Sequence, residues 1–268
     1  MASHNRMLSI LGLFSLARPV ITPEWLVTEL AVSRASVYRD LGQLAGAGLL
    51  ERVPGRGYVL GSRVVELDRQ IRLGDPLIQA AGELLERLAE ESGGAVLLCR
   101  FHGNRVLCIE QVTSSKARLP VLSISYERGR AMPLYRGATS KIILACLPQT
   151  QLKTLWALER SALVAAGLPD DFVQLCNVLG TIRDTGHYIT EGEVDPNAVG
   201  FAVPLRDGEH LLGSLSVVMP AATLTLAARK TTLRRLQSAA RRIEGRLQDQ
   251  RIKAREVQQN KLAKTEPL

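Results

Sequence analysis

Three apolar residues, Val37, Leu41 and Leu44, constrain this chain most narrowly; they stand four and three apart between Ser33 and Gly46-Ala47-Gly48. At about 100° per residue they make one buried stripe on a short helix. Ser33 is placed to cap that helix. Ala35, Ser36, Arg39 and Gln43 point away from the stripe, with Tyr38 on its flank and Arg34 in the first turn. Two more helices are expected upstream. Met7, Leu8, Ile10, Leu11, Leu13, Phe14 and Leu16 recur at helical spacing until Arg18-Pro19 stops them. Thr22-Pro23-Glu24 then reads as a helix start, with Trp25, Leu26 and Leu30 facing inward and a tight turn at Ala31-Val32. Downstream, residues 49–53 form a strand, Pro54-Gly55-Arg56-Gly57 a turn, and Tyr58-Val59-Leu60 the return strand. Three helices and a small hairpin make a winged helix-turn-helix over residues 1–61.

The outward face of the third helix suits double-stranded DNA. A helix fits the major groove, its first side chains reach base edges, and arginine can donate two hydrogen bonds to guanine. The candidate contacts are Ser33, Arg34, Ser36, Tyr38, Arg39 and Gln43, with Arg56 on the wing for phosphate or the minor groove. A small helical domain that binds another protein is the alternative reading.

The rest of the chain is long enough for a second core. Of 268 residues, 46% are apolar and 22% charged, which excludes a disordered or fibrous chain. No apolar run long enough to span a membrane occurs. The first residues lack a cleavable leader pattern. Cys99, Cys108, Cys146 and Cys176 lack metal-ligand spacing, and the chain has only four histidines. These features predict a soluble, reduced, cytoplasmic protein without a metal or cofactor. The formal charge of +8 is unevenly spread: residues 1–61 carry +2, residues 62–223 carry −2, and residues 224–268 carry +8. That last excess is either a solvated helix face or a nonspecific aid to DNA binding.

Val64, Val65, Leu67 and Ile71 predict a linker helix within residues 62–75, broken by Gly74-Asp75-Pro76. A second domain is expected over residues 76–250, followed by a basic, frayed tail at 251–268. Its pattern predicts helices at 77–91, 138–147 and 149–158, then one through Phe172, Leu175, Leu179 and Ile182 capped by Gly186. Strands are expected at 95–101, 105–112, 119–125, 201–205 and 211–218. Strands and helices mix without parallel βαβ regularity, so the fold class is α+β with an antiparallel sheet. A long final helix carries Leu233, Leu236, Ala240, Ile243 and Leu247 on one seam.

No nucleophile elbow, phosphate loop or paired-histidine motif is present, and His187 with Glu191 or Glu193 is the nearest thing to an acid–base pair. The chain is therefore not expected to be an enzyme. Ser33-Arg34-Ala35-Ser36-Val37-Tyr38-Arg39-Asp40-Leu41 and Gly57-Tyr58-Val59-Leu60-Gly61 resemble the DNA-binding domain of IclR-type bacterial transcriptional regulators. The likeness continues through Met132-Pro133-Leu134, Gly137-Ala138-Thr139-Ser140-Lys141, Ile182-Arg183-Asp184-Thr185-Gly186-His187-Tyr188, and Val199-Gly200-Phe201-Ala202-Val203-Pro204. It spans about residues 6–245. Ala31 stands where that family usually has glycine, which is cheap only if the backbone keeps a negative φ.

The resemblance implies a GAF-like domain with a pocket for a small effector, an organic acid or aromatic metabolite. Carried over by position, the pocket is Met132, Leu134, Gly137, Ala138, Thr190, Gly200 and Ser216. Small residues at a helix start expose N–H groups to a carboxylate, and Arg136 and Lys141 would add positive charge. The resemblance also implies a homodimer or homotetramer on a near-palindromic operator. An enzyme with a fused regulatory winged helix and a ligand-independent architectural DNA binder are the competing functions.

Overall fold

A computed structural model describes residues 3–114 and 125–263, and the chain divides into two compact units, Met1–Asp75 and Pro76–Leu268. The first unit opens with helix α1 (Ser3–Ser9) and a 3-10 turn (Ile10–Leu13). The helical stripe expected to reach Leu16 thus ends early. Phe14 is extended, Leu16 is 98% exposed, and Ser15 and Arg18 exchange backbone hydrogen bonds of 3.2 and 2.9 Å. A residue before proline avoids the helical region, so Arg18-Pro19 favours this turn over a longer helix.

Helix α2 (Pro23–Leu30) is capped as its sequence requires: Thr22 Oγ1 accepts the Trp25 N–H at 3.3 Å and Pro23 takes the first position. Leu26 is fully buried, whereas Trp25 and Leu30 are half-buried. The helix ends at Ala31, whose φ is 50°. The condition for an inexpensive alanine, a negative φ, is therefore not met. An L-residue in this region costs about 1–2 kcal/mol, the strain that glycine would avoid.

Helix α3 (Arg34–Gly46) starts at Ser33, whose Oγ accepts the Ser36 N–H at 3.3 Å. Strands β1 (Leu50–Val53) and β2 (Gly57–Leu60) form the wing, with Val53 opposite Gly57. Gly57 has φ 123°, and a Cβ there would stand 2.5 Å from the Ile21 carbonyl oxygen. That close approach lets Ile21 and Tyr58 exchange backbone hydrogen bonds of 2.9 and 2.8 Å, tying the wing to the segment before α2. Val37, Leu41 and Leu44 join Ile10, Ile21, Leu26, Leu50 and Tyr58 in one core. Helix α4 (Ser62–Gly74) has no buried residue.

The second unit starts with α5 (Pro76–Ser92), followed by β3 (Ala95–His102), β4 (Arg105–Thr113) and β5 (Ala131–Pro133). Helices α6 (Ala138–Ala145), α7 (Gln149–Ala165) and α8 (Phe172–Thr185) come next. Strands β6 (Tyr188–Glu191), β7 (Ala198–Asp207) and β8 (His210–Pro220) lead to α9 (Leu226–Ala263). The strands form one antiparallel sheet in the order β5-β4-β3-β8-β7-β6. Both faces are covered. Val96, Leu98, Phe201 and Val217 pack with residues of α5 and α9; Ala95, Leu97, Cys99 and Ala202 pack with residues of α6, α7 and α8.

Several boundaries differ from expectation. The strand expected at 119–125 lies, except for Ser125, outside the described residues, and Ser125 is a bend. Helix α7 runs past 158 to Ala165, and α9 continues through 251–263, where a frayed tail was expected. Arg251 on this extension pairs with Asp207 at 2.5 Å. Edge strands β5 and β6 are too short to give a readable alternation. Among the described residues, no helix is long and apolar enough to cross a membrane.

Candidate functional site

On α3 the side chains sort as a reading helix requires. Arg34, Ala35, Tyr38, Arg39 and Gln43 are exposed, while Val37, Leu41 and Leu44 are at most 1% exposed. Ser33 and Ser36 are partly committed to the cap: besides the backbone bond, their hydroxyls lie 3.0 Å apart. Arg34 makes a 3.5 Å contact with Glu24, both well exposed, a pair of the kind that contributes little in water. Arg39 projects into solvent, and Arg56 is exposed on the wing turn together with Arg52 of β1. Sequence reasoning passed over Arg52.

It also missed what holds α3 from behind. Asp40 is 2% exposed; its Oδ2 accepts a hydrogen bond from Arg6 Nε at 2.8 Å and makes an ion-pair contact of 2.7 Å with Arg6 Nη2. An aspartate next to the exposed Arg39 reads as solvated, and its partner lies 34 positions away. This buried pair fastens the first helix to the reading helix.

In the second unit, Gly137 caps α6 with φ 80°, and Ala138 is its first residue. Thr190 on β6 accepts the Ala138 N–H through Oγ1 at 3.2 Å. Gly200 on β7 faces the same point: a Cβ there would sit 3.4 Å from Thr190 Oγ1 and 3.5 Å from Ala138 Cβ. Ser216 on β8 lies opposite Ala202 and is fully buried; among the described residues its hydroxyl has no hydrogen-bond partner. Ser214, on the same sheet face, donates to the Thr139 carbonyl at 3.1 Å. The fold therefore gathers Gly137, Ala138, Thr190 and Gly200, with Ser216 on the neighbouring strand.

Met132 and Leu134 are placed differently. Both belong to the same core, but Met132 is on β5, the opposite edge of the sheet from β6. Leu134 lines a cleft of about 510 Å³ with Phe101, Leu147, Leu155 and Leu158.

The structure adds a group, Tyr126, and pairings that the sequence reading did not place. Tyr126 donates to the Arg136 carbonyl at 2.7 Å and meets Ser140 Oγ at 2.6 Å. Burial pushes the Tyr126 phenol above its usual range, so it stays a protonated donor. Lys141, 7% exposed, approaches Glu193 with Nζ 2.5 Å from Oε1. Ser125 donates from both backbone and side chain to Asp195. The acid–base pair imagined around His187 does not assemble. His187 Nδ1 contacts the Thr185 carbonyl, Glu191 pairs with Arg229, and Glu193 with Lys141. Cys99 and Cys108 are buried free thiols, and burial pushes Cys99 well up, away from the reactive thiolate. Among the described residues no cluster suited to a metal ion is found.

Comparison with known proteins joins these two sites. Residues 74–245 match the family model of the bacterial transcriptional regulator IclR C-terminal domain, and residues 6–59 match an HTH domain model. The HTH-type transcriptional regulator KipR of Bacillus subtilis is 23% identical over 205 residues, covering 76% of this chain and 80% of KipR. A crystal structure of an IclR-type regulator from a Silicibacter species superposes with a TM-score of 0.76 at 23% identity, over 92% of this chain and 96% of that one. An IclR homolog from Microbacterium hydrocarbonoxydans, solved with 4-hydroxybenzoate, gives a TM-score of 0.71 at 22% identity, over 92% of this chain and all of that one. With a helix-turn-helix DNA-binding domain and an IclR effector domain in one polypeptide, this chain belongs to the IclR family of bacterial transcriptional regulators.

Proposed function

We propose that this regulator acts in the cytoplasm as a homodimer or homotetramer, binds a near-palindromic operator through α3 and the wing, and answers to a small carboxylate or aromatic metabolite. The sorting of α3 carries the DNA reading: the aliphatic residues Val37, Leu41 and Leu44 are turned into the core, leaving Arg34, Tyr38, Arg39 and Gln43 outside. Arg39 is the proposed base reader, Arg34 and Ser33 the contacts at the helix start, and Arg56 the phosphate or minor-groove contact. Twofold proteins match twofold sites, so each half-operator takes one reading helix. Helix α4 supports self-association, because Val64, Leu67 and Ile71 recur at three and four residues on a helix with no buried residue.

For the effector, the supporting observation is the buried Ser216 hydroxyl, without a hydrogen-bond partner among the described residues, on the strand next to Gly200, which itself faces Ala138. A polar ligand atom would satisfy that hydroxyl, and the relative solved with 4-hydroxybenzoate makes that compound the first probe. A thermal-shift series with the full chain tests this, since a ligand stabilises by RT ln(1 + [L]/Kd). The reading expects a rising melting temperature with an aromatic or aliphatic carboxylate and no such rise in Ser216→Leu. A shift that survives Ser216→Leu moves the pocket elsewhere.

A further inference from the structure

The segment joining β6 to β7 lies against the start of α6 at several points. Glu193 reaches Lys141, its carbonyl accepts Arg136 Nε at 3.3 Å, and Asp195 holds Ser125 through both carboxylate oxygens. Val194 Cγ2 stands 2.7 Å from where a Cβ on Gly137 would be. Gly192 has φ 67° and the segment closes on itself, Gly192 N–H to the Ala198 carbonyl at 2.9 Å and Ala198 N–H to the Asp195 carbonyl at 3.0 Å. It is a short, tightly turned strap.

Lys141 gives the strap its meaning. An ammonium whose side chain is 8% exposed needs a counter-ion, and α6 supplies none in its first turn. Glu193 supplies it from 52 residues away. The contact is short, yet Glu193 Oε1 has no aligned hydrogen bond among the described residues, so the pair is held by charge more than by geometry. Val194 meanwhile fills the space over Gly137 at the amino-terminal end of α6. A carboxylate ligand at a helix start would occupy that same volume and be favoured by the neighbouring ammonium.

We infer that the strap, residues 192–197, is an internal occupant of the effector site, and that an anionic carboxylate binds by taking the place of Glu193 on Lys141 and of Val194 over Gly137. This rests on the pocket reading proposed above. The exchange conserves charge. The incoming carboxylate neutralises Lys141, and Glu193, already 24% exposed in its side chain, moves toward water on a strap whose Gly192, Pro196 and Asn197 are exposed. A neutral ligand of the same shape leaves either the strap in place or the ammonium without a partner, so Lys141 selects for anions. Strap displacement is then the first structural consequence of effector binding.

The test uses the full chain, with benzoate as the anionic probe and benzamide as its neutral isostere. Wild type, Glu193→Gln, Lys141→Met and Ser216→Leu are titrated by calorimetry, and hydrogen–deuterium exchange is followed over residues 191–198. Glu193→Gln removes the competing charge and should bind benzoate about tenfold more tightly, with benzamide unmoved. Lys141→Met should lose the preference for benzoate over benzamide. Benzoate should raise exchange in the strap of the wild type. Equal benzoate affinity in wild type and Glu193→Gln, or an unchanged strap on saturation, overturns the exchange. If Ser216→Leu still abolishes benzoate binding in that case, the pocket reading stands without it. Benzoate binding indifferent to Ser216→Leu overturns both. No benzoate binding by wild type or Glu193→Gln at tens of millimolar overturns the carboxylate exchange. Should Lys141→Met fail to fold, Glu193→Gln and the exchange measurement decide alone.

Discussion

The two units handle polar chemistry in opposite ways. In the first, Arg39, Gln43 and Arg56 are exposed and the buried residues are scaffold. In the second, Lys141, Ser140, Thr139, Ser214 and Ser216 are all buried, and most are held by one another or by neighbouring loops. A surface that meets a highly charged polymer can keep its donors in water and exchange counter-ions on contact. A site for a small molecule must pre-form a dry, polar interior, and each polar group inside needs a partner whether or not the ligand is there.

That contrast is open to attack by substitution. The largest effect is expected where both units are alike, in the apolar core. Leu41→Ala in the fully buried centre of the first unit should cost about 2–5 kcal/mol, seen as a lower-melting first unit and lost DNA binding at growth temperature. Asp40→Ala tests the one buried charge among the described residues of that unit. It strands Arg6, which is 19% exposed in its side chain, so the loss should be about 2 kcal/mol, short of a fully buried pair, in chemical denaturation. If Asp40→Ala is neutral, the first unit lacks even this polar interior and the contrast sharpens.

The second unit should show the reverse sign at one position. Ser216→Ala removes a buried hydroxyl that has no partner among the described residues, so the ligand-free protein should gain about 1 kcal/mol while binding its effector more weakly. Destabilisation by this change would mean that the hydroxyl is satisfied without ligand. The smallest expected gain is in the turn before α3: Ala31→Gly relieves the positive φ and should stabilise by about 0.5–1 kcal/mol, because glycine's greater unfolded-state freedom offsets part of the strain.

What was legible in the sequence follows the same division. Helix α3, its Ser33 cap and the wing could be read because outward chemistry and inward packing alternate at a helical period within 28 residues, 33–60. The sheet's long strands were legible as apolar runs. Strands β5 and β6, three and four residues long, were not, because so short a segment carries no period and is defined by its neighbours. In the effector domain the small residues Gly137, Ala138 and Gly200 could be placed by resemblance. The pairing of Lys141 with Glu193 could not: Lys141 was read as positive charge for a ligand, and its partner comes from a loop 52 residues away. The φ of Ala31 was signalled only by resemblance, through the glycine usual at that position, because alanine itself carries no sign that the chain turns left-handed there.

The account depends most on Arg39 reading a base from the exposed face of α3. Fluorescence anisotropy should compare wild type and Arg39→Ala on the promoter fragment that the wild type protects in footprinting and on random duplex of equal length, at one salt concentration. The account predicts a loss of about 1–3 kcal/mol on the operator and a smaller loss on random DNA. Equal losses on the two duplexes, or none on either, would contradict it.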